Sequence, residues 1–410
     1  MKRVAFLLLP ALLGADDLKS LLDYATSKSD LVVAKSLTQD GKNKELQAQK
    51  NSYYPTLDVG AFYQRLDEKS PFMPGETYSG FAKVGINIYD GGMTSALVDK
   101  KSKELQASSF DTEATKKNLS LGIVQDYFNI KTLKATLSAK EDAQKSLAAQ
   151  LSRVKQFFVA KMATQDAIDR LQAAFDTNAY EIEATKLQML SAKKILALKV
   201  GKDVESFEDS SFIELPSQSF EQSDNLKSLI AQKESLDSGA RALMSTYYPV
   251  LRVEDTYSLN GYGNVDTSPT IPAQPDQQNK LMVTLGMRIF DNGSVEKNKE
   301  AIVINAQALN SQITYLTKEQ KINFEIAQER INTSKIEVTS AQSALKAAKS
   351  AFDMIEQKYN AGIVDNVNYL DALASLTNAK ALHVKALNDT QIAYGTYYYY
   401  SGKNIKEFLK

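Results

Sequence analysis

The chain contains two copies of one long segment. Around position 53 the sequence reads Tyr53-Tyr54-Pro55, and around position 247 it reads Tyr247-Tyr248-Pro249. Each motif leads through two alternating segments and a loop to a turn, Asp90-Gly91-Gly92 in the first copy and Asp291-Asn292-Gly293 in the second. A long stretch almost free of Gly and Pro follows each turn. This spacing far exceeds the roughly 20–50 residues of a solenoid repeat, so the duplicated unit is a structural half of the protein.

Composition excludes several classes of protein. The 410 residues include no Cys, one His, and equal numbers of basic and acidic residues, 49 of each. No disulfide framework or Cys-based metal site is therefore possible, and the balanced charge gives no general attraction to nucleic acid. The single His383 lies within a helical stretch, and the glycines form no phosphate-binding loop. We expect no enzyme activity, no metal and no cofactor.

The first fifteen residues are typical of a secretion signal. Met1-Lys2-Arg3 supplies the basic end, Val4–Leu13 the apolar core and Gly14-Ala15 the small residues of a cleavage site. A buried N-terminal helix is the alternative. After this segment no stretch approaches the roughly 18 apolar residues of a membrane-spanning helix, so any membrane crossing would need a β-barrel.

Four segments alternate with period two, as strands with one wet face do. They cover residues 53–66, 80–90, 248–260 and 280–290. Each has about the length that a tilted strand needs to cross a bilayer, and the paired tyrosines at the strand starts are typical of an interfacial aromatic girdle. A soluble sandwich with one wet face is the alternative interpretation.

Four strands cannot close a barrel, because about eight is the smallest common number. Lone hairpins cannot lie in lipid with open edges. We therefore expect the chain to oligomerise, each copy donating its strands to one shared barrel. The polar loops over Asp67–Ser79 and Gly261–Asn279 are expected at the outer face.

Long helices are expected in both halves. They cover residues 94–158, 164–199, 294–359 and 366–400, with shorter helices over 18–52 and 223–246. Their apolar residues are sparse, which suits either long coiled coils or a single-walled helical barrel. Gly362 is expected to end one helix, and Thr164 and Asp365 to cap the helices that return.

A duplicated unit of strand, loop, strand and long helical hairpin behind a signal peptide resembles the TolC family of outer-membrane efflux and secretion ducts. The resemblance covers essentially the whole mature chain. Besides the strand starts and the strand-to-helix turns, it rests on Tyr359-x-x-Gly362 followed by Tyr369-Leu370-Asp371-Ala372.

The resemblance implies an α+β membrane protein and a homotrimer. Its twelve-stranded outer-membrane β-barrel, four strands per chain, would continue as a long twelve-helix periplasmic α-barrel. Residues 16–203 would form the first structural repeat and 223–400 the second. The linker 204–222 and the tail 401–410 would form an equatorial belt.

Family members close the periplasmic mouth with a Tyr, an Arg and two Asp on the inner hairpin, and an Asp on the neighbouring hairpin. The resemblance places the tyrosine at Tyr359, the inner carboxylate at Asp371 and the partner carboxylate at Asp166. Val364 stands at the arginine position and Asn368 at the second Asp position. The Arg–Asp lock is therefore expected to be absent.

Weaker contacts or Asp365 would then hold the mouth closed. In a trimer, three Asp371 carboxylates around one axis would attract cations and repel one another as the ring contracts. The alternatives are a solvated helical carboxylate for Asp371 and a simple helix cap for Asp365.

The resemblance also implies partners and a function. The protein would be a passive exit duct of a tripartite efflux pump in the Gram-negative outer membrane, in contact with its lipid and extending into the periplasm. It would export small molecules such as drugs, bile salts and dyes with an inner-membrane transporter and a periplasmic adaptor. The adaptor would dock at the two helix-to-helix turns, on Lys161, Met162, Ala163, Gly362, Ile363 and Val364. The alternatives are a type I secretion duct for polypeptides and, from a different class, a structural coiled-coil surface protein.

Overall fold

The computed structural model describes residues 17–68, 70, 73–214, 219–265 and 274–410. The expected signal peptide lies outside the described residues, as do parts of both polar loops and of the linker. The elements in chain order are α1 (Leu18–Lys28), α2 (Asp30–Asn51), β1 (Thr56–Arg65), β2 (Glu76–Tyr89), α3 (Met93–Val159), α4 (Gln165–Val200), α5 (Asp224–Met244), β3 (Val250–Gly263), β4 (Gln277–Gly286), α6 (Ser294–Asn360) and α7 (Asn366–Tyr400).

The four strands form one antiparallel sheet in chain order, with β1 and β4 at its open edges. The register forms one row across the four strands, in the order Leu57, Val84, Asp255 and Leu281. Leu57 and Leu281 are 68% and 69% exposed. The sheet therefore carries an apolar face that the described chain leaves uncovered, interrupted by the one carboxylate that departs from the alternation.

The ends of β2, β3 and β4 differ from the predicted ones, because pairing with the neighbouring strand sets where each strand ends. β2 and β3 each run further, because Glu76 and Gly263 are register partners and the ladder continues into polar sequence. β4 ends earlier, at Gly286, because Gly286 faces Val250, the first residue of β3. Residues 287–290 continue the alternating pattern with no strand opposite them in the described chain.

The helix expected over 18–52 is broken at Ser29. This residue has extended backbone, with φ −59° and ψ 133°, and ends α1. A Cβ placed on Gly201 would lie 3.6 Å from the Cα of Ser29. Gly201 has φ +90° and ends α4. The chain therefore changes direction where it passes closely over the turn that ends α4.

The two sequence repeats do not correspond to the compact units. One unit takes the described residues up to Ser36, Thr112–Asp224 and Leu316–Lys410, and the other takes Leu37–Asp111 and Asn225–Tyr315. The second unit holds the whole sheet, and the first holds both helix-to-helix turns. Each unit therefore contains segments from both repeats.

In the helical unit, the linker and the C-terminal tail pack together over the main apolar core. Phe408 stacks on Tyr398 with ring centroids 3.9 Å apart, and Phe212 forms a β-bridge with Leu409. The Tyr398 hydroxyl donates to the carbonyl of Ile213 at 2.5 Å. In the described part of the chain, no helix is both long enough and apolar enough to cross a membrane.

Candidate functional site at the two helix-to-helix turns

The first turn joins α3 to α4 through a non-glycine residue in left-handed conformation. Lys161 has φ +58°, and the N–H of Met162 donates to the carbonyl of Phe157 at 2.7 Å. This is the Schellman arrangement that usually employs glycine. Thr164 caps α4, as predicted, by accepting a hydrogen bond from the N–H of Ala167 at 3.3 Å.

The second turn, between α6 and α7, has the same frame. Gly362 has φ +72°, and the N–H of Ile363 donates to the carbonyl of Lys358 at 2.9 Å. Asp365 accepts from the N–H of Asn368 at 3.1 Å, three residues on, as the predicted N-cap. The capping hydrogen bond of Asn368 holds the pKa of Asp365 below its ordinary value.

A cleft of 590 Å³ separates the two turns. It brings together most of the residues predicted for the gate and for docking, namely Tyr359, Asp166, Asp365, Met162, Ala163, Gly362 and Val364. Arg153, Phe157, Arg170 and Val367 also line it. Lys161 and Ile363 lie outside the cleft and are exposed at the turns.

Near the turns, side chains of Arg153 and Asn366 join the two hairpins of the chain. The guanidinium of Arg153 on α3 donates to the backbone carbonyl of Asn360 at 2.8 Å, and also to the side-chain oxygen of Asn360. That carbonyl belongs to the last turn of α6, where helix carbonyls lack intrahelical partners and a cation is favourable. The amide of Asn366 donates to the carbonyl of Ala167 at 3.2 Å.

Arg153 is the candidate functional residue that the sequence did not indicate. The sequence predicts that the Arg–Asp lock is absent, because Val364 occupies the arginine position. The structure supplies a guanidinium from α3 instead, stacked over the Phe157 ring at 5.1 Å. The four-residue spacing from Arg153 to Phe157 predicts only that the two side chains meet on α3. The contact with Asn360 could not be predicted in this way, because it depends on how α3 packs against α6.

Aromatic residues fill the space beneath the second turn. Tyr359 stacks on Tyr369 with centroids 4.9 Å apart, and Phe352 lies 5.8 Å from the same ring. Burial raises the pKa of Tyr369 to about 12. The hydroxyl of Tyr369 and the side-chain oxygen of Gln150 are both buried with no hydrogen-bond partner among the described residues.

The predicted gate carboxylates have separate environments. Asp166 pairs with Arg170 of its own helix at 2.9 Å, and Asp365 bonds to Asn368. Asp371 lies on α7 and lines another cavity, of 370 Å³, between α3, α4 and α7. Asp371 is exposed and makes no hydrogen bond or ion pair to the described residues. No His, Asp or Glu cluster suited to a metal ion occurs in that part of the chain.

The comparisons agree with this architecture. A model of the outer membrane efflux protein family matches residues 21–201 and 215–402. The chain belongs to the outer membrane efflux protein family. The predicted resemblance and the predicted outer-membrane and periplasmic location are therefore confirmed, and the family is one of channels rather than enzymes. No curated protein sequence matches the chain.

Solved structures share the fold at low identity. The CmeC outer membrane channel of Campylobacter jejuni superposes with a TM-score of 0.82 at 14% identity, covering 95% of this chain and 86% of that one. VceC of Vibrio cholerae gives 0.80 at 14% identity, covering 95% and 96%. The open state of the Neisseria gonorrhoeae MtrE outer membrane channel gives 0.76 at 14% identity, covering 95% and 89%. The predicted combination of a strand domain with long helices is thereby confirmed.

Proposed function

We propose that three copies of this chain form a passive exit duct of a tripartite efflux pump, exporting small molecules with an inner-membrane transporter and a periplasmic adaptor. The open four-stranded sheet carries the proposal, because its apolar face is exposed and both of its edges are unpaired. Such edges cannot remain open in lipid. Three chains would together supply twelve strands for one barrel.

Uncovered apolar positions on the long helices support assembly. On α6, Ile322, Ile326 and Ile336 are exposed at spacings that place them on one helix face. On α4, Tyr180 and Leu187 are exposed one heptad apart. Exposed stripes of this kind are typical of helices that pack against neighbours. In the proposal, these neighbours are helices of the other two copies.

Membrane fractionation and deletion test the proposed duct. We expect the mature protein in outer-membrane fractions as a trimer that resists detergent, and a deletion strain more sensitive to drugs, dyes and bile salts. A soluble filament would instead support a structural surface protein. Loss of secreted polypeptides with unchanged drug sensitivity would replace the small-molecule function by type I secretion.

We further propose that the adaptor docks at the cleft between the two turns. Met162, which lines the cleft, and Ile363, at the second turn beside it, are 75% and 71% exposed, and exposed apolar residues beside a cleft favour a protein partner. Replacing Met162 and Ile363 by serine should abolish export and leave trimers intact. Leu198→Ser, near the end of α4 and 81% exposed, is the control for general loss of exposed apolar surface. Preserved export in the Met162 and Ile363 variant would remove the docking assignment.

The proposed gate has two elements. Arg153 ties α3 to the end of α6, and the three Asp371 carboxylates form the cation-attracting ring of the closed mouth. Arg153→Gln should raise single-channel conductance, whereas Lys186→Gln, which breaks an exposed ion pair with Glu183 within α4, should not. Asp371→Asn should lower cation selectivity. Unchanged conductance for Arg153→Gln, or unchanged selectivity for Asp371→Asn, would remove the corresponding role.

A further inference from the structure

The internal duplication relates the strands of one half to those of the other. The Tyr-Tyr-Pro motifs align Tyr53 with Tyr247, so β1 corresponds to β3. The strand-to-helix turns align Asp90 with Asp291, so β2, with the residues that follow it, corresponds to β4 and its continuation. The pairing of β2 with β3 joins the first half to the second half within the chain. In a ring of copies, β4 of one copy would join β1 of the next in the same relation.

The sheet is staggered in a way that suits this repetition. Thr56 begins β1 and lies in one cross-strand row with Gly85 and Glu254. Its counterpart in the second half, Val250, begins β3 four residues closer to the helices. Each half is thus displaced along the strands by about 13 Å relative to the half before it, at about 3.3 Å per residue. A closed barrel requires a regular stagger of this kind.

We infer that β4 of one copy pairs with β1 of a second copy in the register that joins β2 to β3 within the chain. This inference rests on the proposed trimeric duct and specifies the surface through which the copies meet. Within the chain Asn87 faces Arg252, and the Arg252 guanidinium donates to the Asn87 side chain at 3.2 Å. The counterparts of these residues are Arg288 and Asp58. The shared register therefore places Arg288 opposite Asp58 of the next copy.

Charge on the two edges agrees with this register. Asp58 and Arg288 are exposed and carry opposite charges. Neither makes a hydrogen bond or a salt bridge to any residue that the structure describes, although the charge of Arg288 acts on nearby Asp291. Opposite charges directly across an antiparallel pair stabilise it. The same register would join them on the polar face of the sheet.

The apolar residues beyond β4 agree as well. Met287 and Phe290 are 57% and 78% exposed, in the segment that has no strand opposite it. Ile86 faces Val253, and Tyr89 faces Leu251. By the same correspondence, Met287 would face Val59 of the next copy, and Phe290 would face Leu57. The interface thus covers exposed apolar side chains on both edges with apolar partners, and it extends β4 to about residue 290.

Disulfide trapping tests the register directly, because the chain contains no cysteine. Residues opposite each other in an antiparallel pair have Cβ atoms about 4.5–5.5 Å apart, which a disulfide can nearly span. Asp58→Cys combined with Arg288→Cys should give covalent dimers and trimers on oxidation in the outer membrane. Asp58→Cys with Thr284→Cys, about 13 Å out of register on the same face, should not. Asn87→Cys with Arg252→Cys is the control that should close within one chain.

Charge exchange gives an independent measurement. Asp58→Arg or Arg288→Asp alone should remove most of the detergent-resistant trimer, and the double exchange should restore it. If the Asp58→Cys, Arg288→Cys variant forms trimers but no disulfide between copies, the register is wrong and the proposed duct stands. Preferential cross-linking of the Asp58→Cys, Thr284→Cys variant would have the same meaning. If wild-type protein in the outer membrane forms no trimer, the register and the proposed duct fail together.

Discussion

The two helix-to-helix turns share a backbone but differ in chemistry. Both end a long helix with the same pair of Schellman hydrogen bonds, and both cap the next helix three residues later. At the left-handed position, however, the first turn has Lys161 where the second has Gly362. The duplication therefore preserved the path of the chain while the side chains diverged.

The second turn differs from the first in burial and in its contact with the other hairpin. Tyr369 is completely buried, whereas Ile168, at the corresponding position of the first hairpin, is only partly buried. The second turn also receives the Arg153 contact at Asn360, from a residue of the other hairpin. The first turn is held mainly by its own local bonds. The difference supports the proposed gate, in which the position of the second hairpin controls the mouth.

The largest expected effect is a difference in stability between the two hairpins when the apolar core of each is truncated. Tyr369→Ala should lower the free energy of local opening at the start of α7 by about 3–5 kcal/mol, since it empties a fully buried site. Ile168→Ala should cost about 2 kcal/mol at the start of α4, at the low end for a partly buried side chain. Amide hydrogen exchange measures both openings. Equal losses would show that the two hairpins have equivalent cores.

Alkaline pH should weaken the second hairpin selectively. The pKa of Tyr369 is about 12 in the fold and about 10 in the unfolded chain. Its contribution is fully present below about pH 10 and is lost as the pH rises toward about 12, a loss of about 3 kcal/mol. Helical circular dichroism and tyrosinate absorbance follow the transition. Tyr369→Phe should move the loss to higher pH, and an unchanged profile would assign it to other groups.

Substitutions at the two left-handed positions should change stability in opposite directions. Gly362→Ala should destabilise its turn by about 1–2 kcal/mol, because a Cβ is unfavourable at that φ. Lys161→Gly should stabilise the first turn by about 0.5–1 kcal/mol, since it relieves the same crowding at some cost in chain entropy. Thermal unfolding of the detergent-solubilised variants measures the difference. A stabilising Gly362→Ala would contradict the conformational account.

The smallest expected effect distinguishes the caps. Thr164→Ala should cost about 1 kcal/mol at the start of α4 and show no pH dependence. Asp365→Asn should keep its cap but lose the favourable charge at the start of α7. The pKa of Asp365 is lowered in the fold, so its contribution is present above the ordinary pKa of 3.8 and is lost as the pH falls below it. Hydrogen exchange at acidic pH should therefore converge for wild type and Asp365→Asn.

Local chemistry made much of this fold predictable. Gly362, Thr164 and Asp365 act within four residues of themselves, so the sequence around each is sufficient to assign its role. Strand alternation is similarly local and located all four strands. The strand ends were less accurate, because Gly286 stops β4 only through its partner Val250.

Long-range packing accounts for what the sequence did not indicate. The Arg153 contact joins residues 207 positions apart, and no periodicity in either helix refers to the other. The sequence did not predict the compact units for the same reason, since each unit combines segments from both repeats. Asp371 was predicted at the narrowest point of a trimer, a position that a single chain does not test, and its role stays a prediction.

The pairing of β2 with β3 has a consequence for biogenesis. Ala82 and Tyr257 are register partners, so the sheet unites segments that leave the ribosome far apart in time. Until the later segment arrives, the early hairpin is a marginally stable ribbon with open edges, which favour aggregation. Contacts of such large sequence separation also form slowly. We therefore expect the early hairpin to be prone to aggregation until β3 has been made and pairs with β2.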